Sequence, residues 1–519
     1  MNSKHKFWSA LALVMVISLL LAACTPPTPE TIVETVEVTR EVEVVQTVEV
    51  TKEVEVEVTP EPEPVTLRVM NWSQEQADFY AEAAAKFQEE YPWITVEWET
   101  LAQDQYREAL PLMFQSEESP DVFFWIGSNR VLTMAELYDL GWIRSVHPNA
   151  KVPDDWKGRW PEGSFLEGVN MINGVVYSFP FNDNKIWGPG YMYMNKDVFE
   201  EAGLDPESPP TTWSELQETC RTIKENTGAY CMAVPLKGTD FQRTWYPLAG
   251  MAMTDRFFDL KNGRFAIDDP KLLETLSFIQ ELYAEDLVVP GVEDKAFARA
   301  AMGNGQAAIY FGGAWMPGVF TNMGFEDLNL GVALPPVPDD GRGGALAQSF
   351  TENKYFVSSQ SQHPEEAWLF IEWITRPDGF FATEYLARGF GTLAYSDNAE
   401  YITDSGMLQV VDVASQGLRV AYPEPVVACG DVAQSKAYNE AENFHKNWEW
   451  EAMVEAITSG SDFAPVAQNI AATKNEIFQE VLAEEAAEGL QVSVDVCYTF
   501  SEWDYTEDYN PDNYAQHQP

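Results

Sequence analysis

Positive charge is what this chain has least of. It carries 32 Lys and Arg against 82 Asp and Glu, a formal net charge of −50. Nucleic-acid binding is thereby all but excluded, because that affinity comes mainly from neutralising phosphates with basic side chains. Adhesion to anionic lipid is disfavoured for the same reason. Cationic ligands and metal ions stay open to so acidic a surface. Histidine is scarce too, with five in the chain and none spaced as a ligand pair. Neither H-E-x-x-H, G-x-S-x-G nor a Walker A loop occurs. Acids are so abundant that some pair will always suit a glycosidase, so carboxylates carry no weight as a catalytic signal. Asn182-Asp183-Asn184 suggests calcium but lacks the loop glycine and distal Glu of an EF-hand, and reads as a connecting loop. No catalytic group, metal or cofactor is expected.

Apolar runs long enough for a membrane are also missing beyond the N-terminus. Lys4 and Lys6 precede an almost wholly apolar stretch over residues 7–23, a secretory signal; an uncleaved transmembrane helix is the alternative. Residues 25–64 then repeat TVEVTREVEVVQ as TVEVTKEVEVEV, with eleven Glu against Arg40 and Lys52. Val alternates with Glu as in a strand, but like charges repel and no partner strand follows. An extended tether is expected, with local helix, coiled coil or β-pairing as alternatives. The body from residue 65 keeps −43 of the charge, −50 less the −7 of the first 64 residues.

A chain of 519 residues needs more than one core. With 17 Trp and 13% aromatics, rings remain available for a ligand. Residues 67–71 read as a strand, Ser73 and Gln76 as a capping box, and Phe79, Ala83 and Phe87 as one face of a helix. Ile94, Val96 and Trp98 alternate as a second strand, residues 106–115 form a helix, and residues 122–125 a third strand. Such alternation predicts a parallel sheet with ligands beyond the carboxyl ends of its strands. Those ends carry Trp72, then Gln103-Asp104-Gln105 as a polar loop, then Trp125 to Asn129 and Arg130. Either Trp is otherwise a core ring.

The central stretch, residues 173–225, holds two further strand-like runs, at 175–179 and 191–194. A helix ending at Gly203 follows, then a second capping box, Thr212 with Glu215, ahead of Leu216, Cys220 and Ile223 on one helix face. It contains G-x-x-Y-x-x-P at Gly174, then Y-M-N-K-D-V-F-x-x-A-G-L at Tyr193, then P-x-T-W-x-E-L at Pro210. In order and spacing these resemble the signature of the family 1 extracellular solute-binding proteins, maltose-binding-protein-like sugar-capturing components of ABC importers. PDVFFW at Pro120 resembles a sugar-contacting segment of that family. FARAAMGNGQAA at Phe297, followed by Gly312-Gly313-Ala314-Trp315, is loosely similar to its F-x-x-G-x-A-A-M-x-x-x-G-x-W block, with Ala301 and Met302 displaced relative to Ala307 and Ala308. HPEEAW at His363 resembles another element, and the likeness spans roughly residues 65–490.

The resemblance implies an α/β, two-lobe, type II periplasmic-binding-protein-like fold with three interlobe crossings. Lobe 1 is expected over 65–180 and 332–391, with residues 330–338 as the return crossing and 389–395 as the third. Lobe 2 is expected over 181–331 and 392–500, and residues 501–519 as a polar and aromatic, frayed tail. Trp72, Gln103, Asp104, Trp125, Asn129, Asn184, Trp187, Tyr191, Gly313 and Trp315 are the expected ligand contacts, with Trp315 the leading sugar-stacking ring. Residues 21–24, LAAC, resemble a lipobox, which implies a lipidated Cys24 at the mature N-terminus of a bacterial, membrane-anchored protein. Export favours disulfides among the four remaining cysteines. Three pairings are possible; Cys220–Cys231 follows from chain proximity, leaving Cys429–Cys497. The implied function is capture of a sugar, hinge closure and delivery to the ABC permease subunits, by a monomer with no cofactor. A secreted carbohydrate-active enzyme is the rival from another class, and a peptide or polyamine carrier the rival within binding proteins.

Overall fold

Val65–Asn71 and Ile94–Thr100 pair in parallel over their whole length, from Val65 opposite Ile94 to Asn71 opposite Thr100. The computed structural model describes residues 62–125, 134–253, 257–291, 293–348, 355–395, 399–445 and 447–517. Cys24 and all but the last three residues of the expected tether lie outside these. Residues 65–519 form one unit.

Parallel pairing requires a crossover, and the helix Ala77–Glu90 supplies it by burying Phe79, Ala83 and Phe87 on the sheet. Val122–Phe124 joins on the other side, also parallel. Tyr355–Ser358 and then Ile143–Arg144 add antiparallel edges, for the order Ile94, Val65, Val122, Tyr355, Ile143 by first residue. Two local expectations fail here. Ser73 makes no side-chain cap, because the turn after Trp72 is a short 3-10 segment, Gln74–Gln76, whose Gln76 accepts instead from the Tyr80 hydroxyl at 2.6 Å. Gln103-Asp104-Gln105 is not a loop but the first turn of the helix Gln103–Gln115, since Ala102 already holds the extended backbone of an N-cap.

The second sheet has four strands in the order Leu330–Ala333, Pro189–Asn195, Ala307–Gly313, Tyr230–Met232. Every residue of Ala307–Gly313 is buried, as a central strand covered on both faces must be. Thr212 and Glu215 form the expected reciprocal cap of the helix Trp213–Thr227, which buries Leu216, Cys220 and Ile223. Leu330–Ala333, expected as the return crossing, instead pairs with Pro189–Asn195 as an edge of this second sheet. Its alternating burial fits that place, and the chain next joins the first sheet at Tyr355.

Residues 181–183 and 392–394 run side by side between the two sheets. Asp183 N donates to Thr392 O at 3.2 Å, and Ala394 N to Phe181 O at 2.9 Å. A third core gathers Phe258, Phe265, Phe478, Tyr498, Trp503 and Tyr509. The expected tail is therefore packed structure: Trp503 donates to Glu507 O at 2.9 Å, and the Tyr509 ring lies edge-on to Phe500 at 5.3 Å. Its aromatics, not its polar residues, decide the outcome. Cys220–Cys231 and Cys429–Cys497 are both bonded, with Cα separations of 4.7 and 5.4 Å. The second bond pins the C-terminal segment onto this core.

Candidate ligand site

Trp315 follows the last residues of the buried strand Ala307–Gly313 and caps the short helix Met316–Asn322. The strand ends in two glycines for a steric reason: a Cβ on Gly313 would overlap the Trp315 ring. Trp187 meets Trp315 from the segment leaving the crossing, with ring centroids 4.6 Å apart and planes at 49°. Its backbone N–H donates to Asp183 O at 2.7 Å, so the turn at the crossing places the ring. Gly391, on the other crossing segment, has φ +134°, and a Cβ there would lie 2.8 Å from the Trp187 ring. Both indoles are half-buried, which suits an aromatic platform for the C–H face of a ligand.

The remaining expected contacts divide. Gln103 faces the second lobe and accepts from Lys295 Nζ at 3.0 Å. Trp72 packs edge-on to Phe124 at 6.5 Å, and its buried Nε1 has no hydrogen-bond partner among the described residues. Trp125 is half-buried beside Phe123. Asn184 is buried on the crossing turn. The Asp104 side chain and Asn129 lie outside the described residues. Tyr191 is corrected: it is fully buried in mid-strand, and its hydroxyl donates to Ile186 O at 2.7 Å while accepting from Arg419 at 3.1 Å. Burial pushes its phenol up to about 12 despite the Arg419 charge. The ring braces the crossing and is shut off from any ligand.

Sequence reasoning missed the charged residues around Lys295. Its Nζ lies between Gln103 of the first lobe and Asp240, 4.0 Å away in the second. Burial pulls the ammonium down to about 8; neighbouring Arg243 and Arg299 push the same way, against Asp240 and Glu75. The only signal was two cations one helical turn apart, Lys295 and Arg299, in an alanine-rich helix of a strongly acidic body. Among the described residues, no group of three or more His, Cys, Asp or Glu could hold a metal ion.

Residues 71–379, more than half of the chain, match the sequence profile of the bacterial extracellular solute-binding proteins. The chain belongs to that family. An uncharacterized ABC transporter extracellular-binding protein of Pyrococcus horikoshii is 26% identical over 59% of this chain and 67% of its own length. An arabinooligosaccharide-binding protein of Halalkalibacterium halodurans is 28% identical over 38% of this chain and 43% of its own. Among solved structures, the GacH receptor of Streptomyces glaucescens, known unliganded and with acarbose, superposes with a TM-score of 0.62 at 16% identity, over 81% of this chain and 99% of that one. Maltose-bound MalE3 of T. maritima gives 0.61 at 19% identity, over 80% and 100%. These likenesses establish the two-lobe α/β periplasmic-binding-protein fold. Family membership also decides between binding protein and enzyme: an extracytoplasmic solute-binding protein makes and breaks no bond.

Proposed function

We propose that this solute-binding protein captures a sugar or oligosaccharide between its lobes and delivers it to the membrane subunits of an ABC transporter. The Trp187–Trp315 pair carries the reading. Two half-buried indoles, set by the crossing and by a glycine-ended strand, suit a pyranose face, and polar groups nearby suit its hydroxyls. Relatives whose names or structures involve arabinooligosaccharide, acarbose and maltose support the same class. Trp72, Gln103, Trp125 and Asn184 are proposed to complete the site, with Asp104, Asn129 and the Gly313 backbone; the buried Tyr191 ring is not part of it. Cys24 is proposed as the lipid anchor and the acidic repeat as the tether that holds the body off the membrane.

The test is a thermal-shift screen against mono- and oligosaccharides, followed by calorimetric titration of the hits. Ligand at a hundred times its Kd adds about 2.7 kcal/mol of stability, an easily read shift. Absence of any shift across neutral and charged sugars would refute the reading.

A further inference from the structure

Arg299 is 7% exposed, yet it makes no hydrogen bond or ion pair among the described residues, and its Nε is shut from solvent without a partner. A guanidinium largely withdrawn from water is costly without a counter-charge, so a group so placed calls for one. Lys295 lies four residues earlier on the same helix, Lys295–Gly303, and hence on the same face. Arg243, also 7% exposed, stands at the start of the helix Gln242–Ala252 with its own Nε unpartnered.

The opposing charge among the described side chains of the neighbourhood is largely engaged. Asp240 accepts from Arg243 Nη1 at 2.8 Å and from the Lys295 backbone N–H at 3.0 Å, which commits both of its oxygens. Glu75 is exposed on the first lobe, and its backbone carbonyl accepts from Asn322. Gln103, the remaining partner of Lys295, is neutral. Asp294, beside Lys295, spends its carboxylate on capping the helix, accepting from the Ala296 and Phe297 backbone N–H groups at 3.0 Å. Among the described side chains, three cations thus meet two engaged carboxylates and one solvated one.

We propose that Arg299, Lys295 and Arg243 form a subsite for an anionic oxygen group on the ligand, a carboxylate or a phosphate ester, so that the solute is an acidic or phosphorylated sugar. The inference rests on the sugar-binding reading and narrows it. Guanidinium offers planar paired donors that match either anion, and the low-dielectric seam strengthens the contact. Such a subsite rejects polyamines and cationic peptides, which would meet like charge there.

The experiment titrates the full chain with matched pairs: a glucuronic acid-containing disaccharide against its neutral glucose counterpart, and a hexose 6-phosphate against the free hexose. At least one anion is expected to bind tenfold or more tightly than its neutral parent, with a preference that shrinks as salt rises. Preference for the uronate alone identifies a carboxylate ligand, and for the phosphate alone an ester; either supports the subsite. Arg299→Gln is expected to cut the anion-to-neutral ratio at least tenfold, and Arg299→Lys to retain part of it. Neutral parents binding as tightly as both anions would overturn the subsite while leaving sugar capture intact. A ratio untouched by Arg299→Gln in a variant that still melts cooperatively would overturn it as well. If no probe of either charge binds, both readings fall together.

Discussion

Trp315 meets Trp187 at a tilt of 49° and sits at the end of a strand whose residues are all buried. Replacing it by Ala should weaken sugar binding by about 1.5–3 kcal/mol, the worth of covering a large apolar side chain. The apo melting temperature should move little, because the ring is half-buried. Trp245 is the control. It is fully buried, and Trp245→Ala should cost about 3–5 kcal/mol of stability. Melts of both variants, with and without sugar, separate the roles; an early-melting Trp315→Ala that binds normally would make Trp315 a core residue. Lys295 gives a second residue-scale prediction. Its ammonium is held down to about 8 by burial and by Arg243 and Arg299, so affinity for an anionic sugar should fall as pH rises through that range. The stability effect has the opposite sense. A base whose folded pKa is depressed penalises the fold below about pH 8, and the penalty fades toward the unfolded value of 10.5. Chemical denaturation of wild type and Lys295→Met between pH 7 and 10 reads that slope, which the variant should lack.

At the scale of elements, what was legible followed period and caps. Helices with Phe79, Ala83 and Phe87 or Leu216, Cys220 and Ile223 at regular spacing landed where their patterns put them. The ligand rim was legible only in part. No side-chain cap announces that the helix starts at Gln103 rather than Tyr106, and Tyr191 reads as a ligand contact because an aromatic strand has the same pattern whether it lines a cleft or a sheet centre. Arg299 and Lys295 were hidden because charge pairing depends on which lobes meet, and composition alone pointed the other way. Leu330–Ala333 carries nothing in its sequence to say which sheet it will join; only the free edge of Pro189–Asn195 decides that. The C-terminal segment yields the element-scale prediction. Its bond Cys429–Cys497 closes a span of 68 residues, and Cys220–Cys231 one of 11. By chain entropy these are worth about 4 and about 3 kcal/mol respectively. Paired Cys→Ala variants should therefore rank in that order in urea melts. Loss of the first should also quench burial of Trp503, seen as red-shifted tryptophan emission.

At the scale of the whole molecule, the side-chain hydrogen bonds that span the lobes among the described residues include three away from the crossing segments. Lys295 Nζ donates to Gln103, Asn322 Nδ2 to Glu75 O at 2.8 Å, and Asn439 Nδ2 to Glu136 at 3.0 Å. Each is worth about 0.5–1.5 kcal/mol, too little singly to hold the lobes shut but enough together to bias them. A ligand deepens that bias only through contacts that exist when the lobes meet. The proposed contacts, the Trp187 and Trp315 indoles with Gln103, are of that kind. Apparent affinity scales with the fraction of protein already in the competent state. Asn439→Ala touches no proposed ligand contact, yet by lowering that fraction it should weaken sugar binding by up to about tenfold. Small-angle scattering should show a smaller radius of gyration with saturating sugar in both proteins, and a larger unliganded radius in the variant. Equal unliganded radii together with unchanged affinity would mean that the Asn439 bond does not act on closure, and the bias would then rest on the two contacts nearer the Lys295 seam.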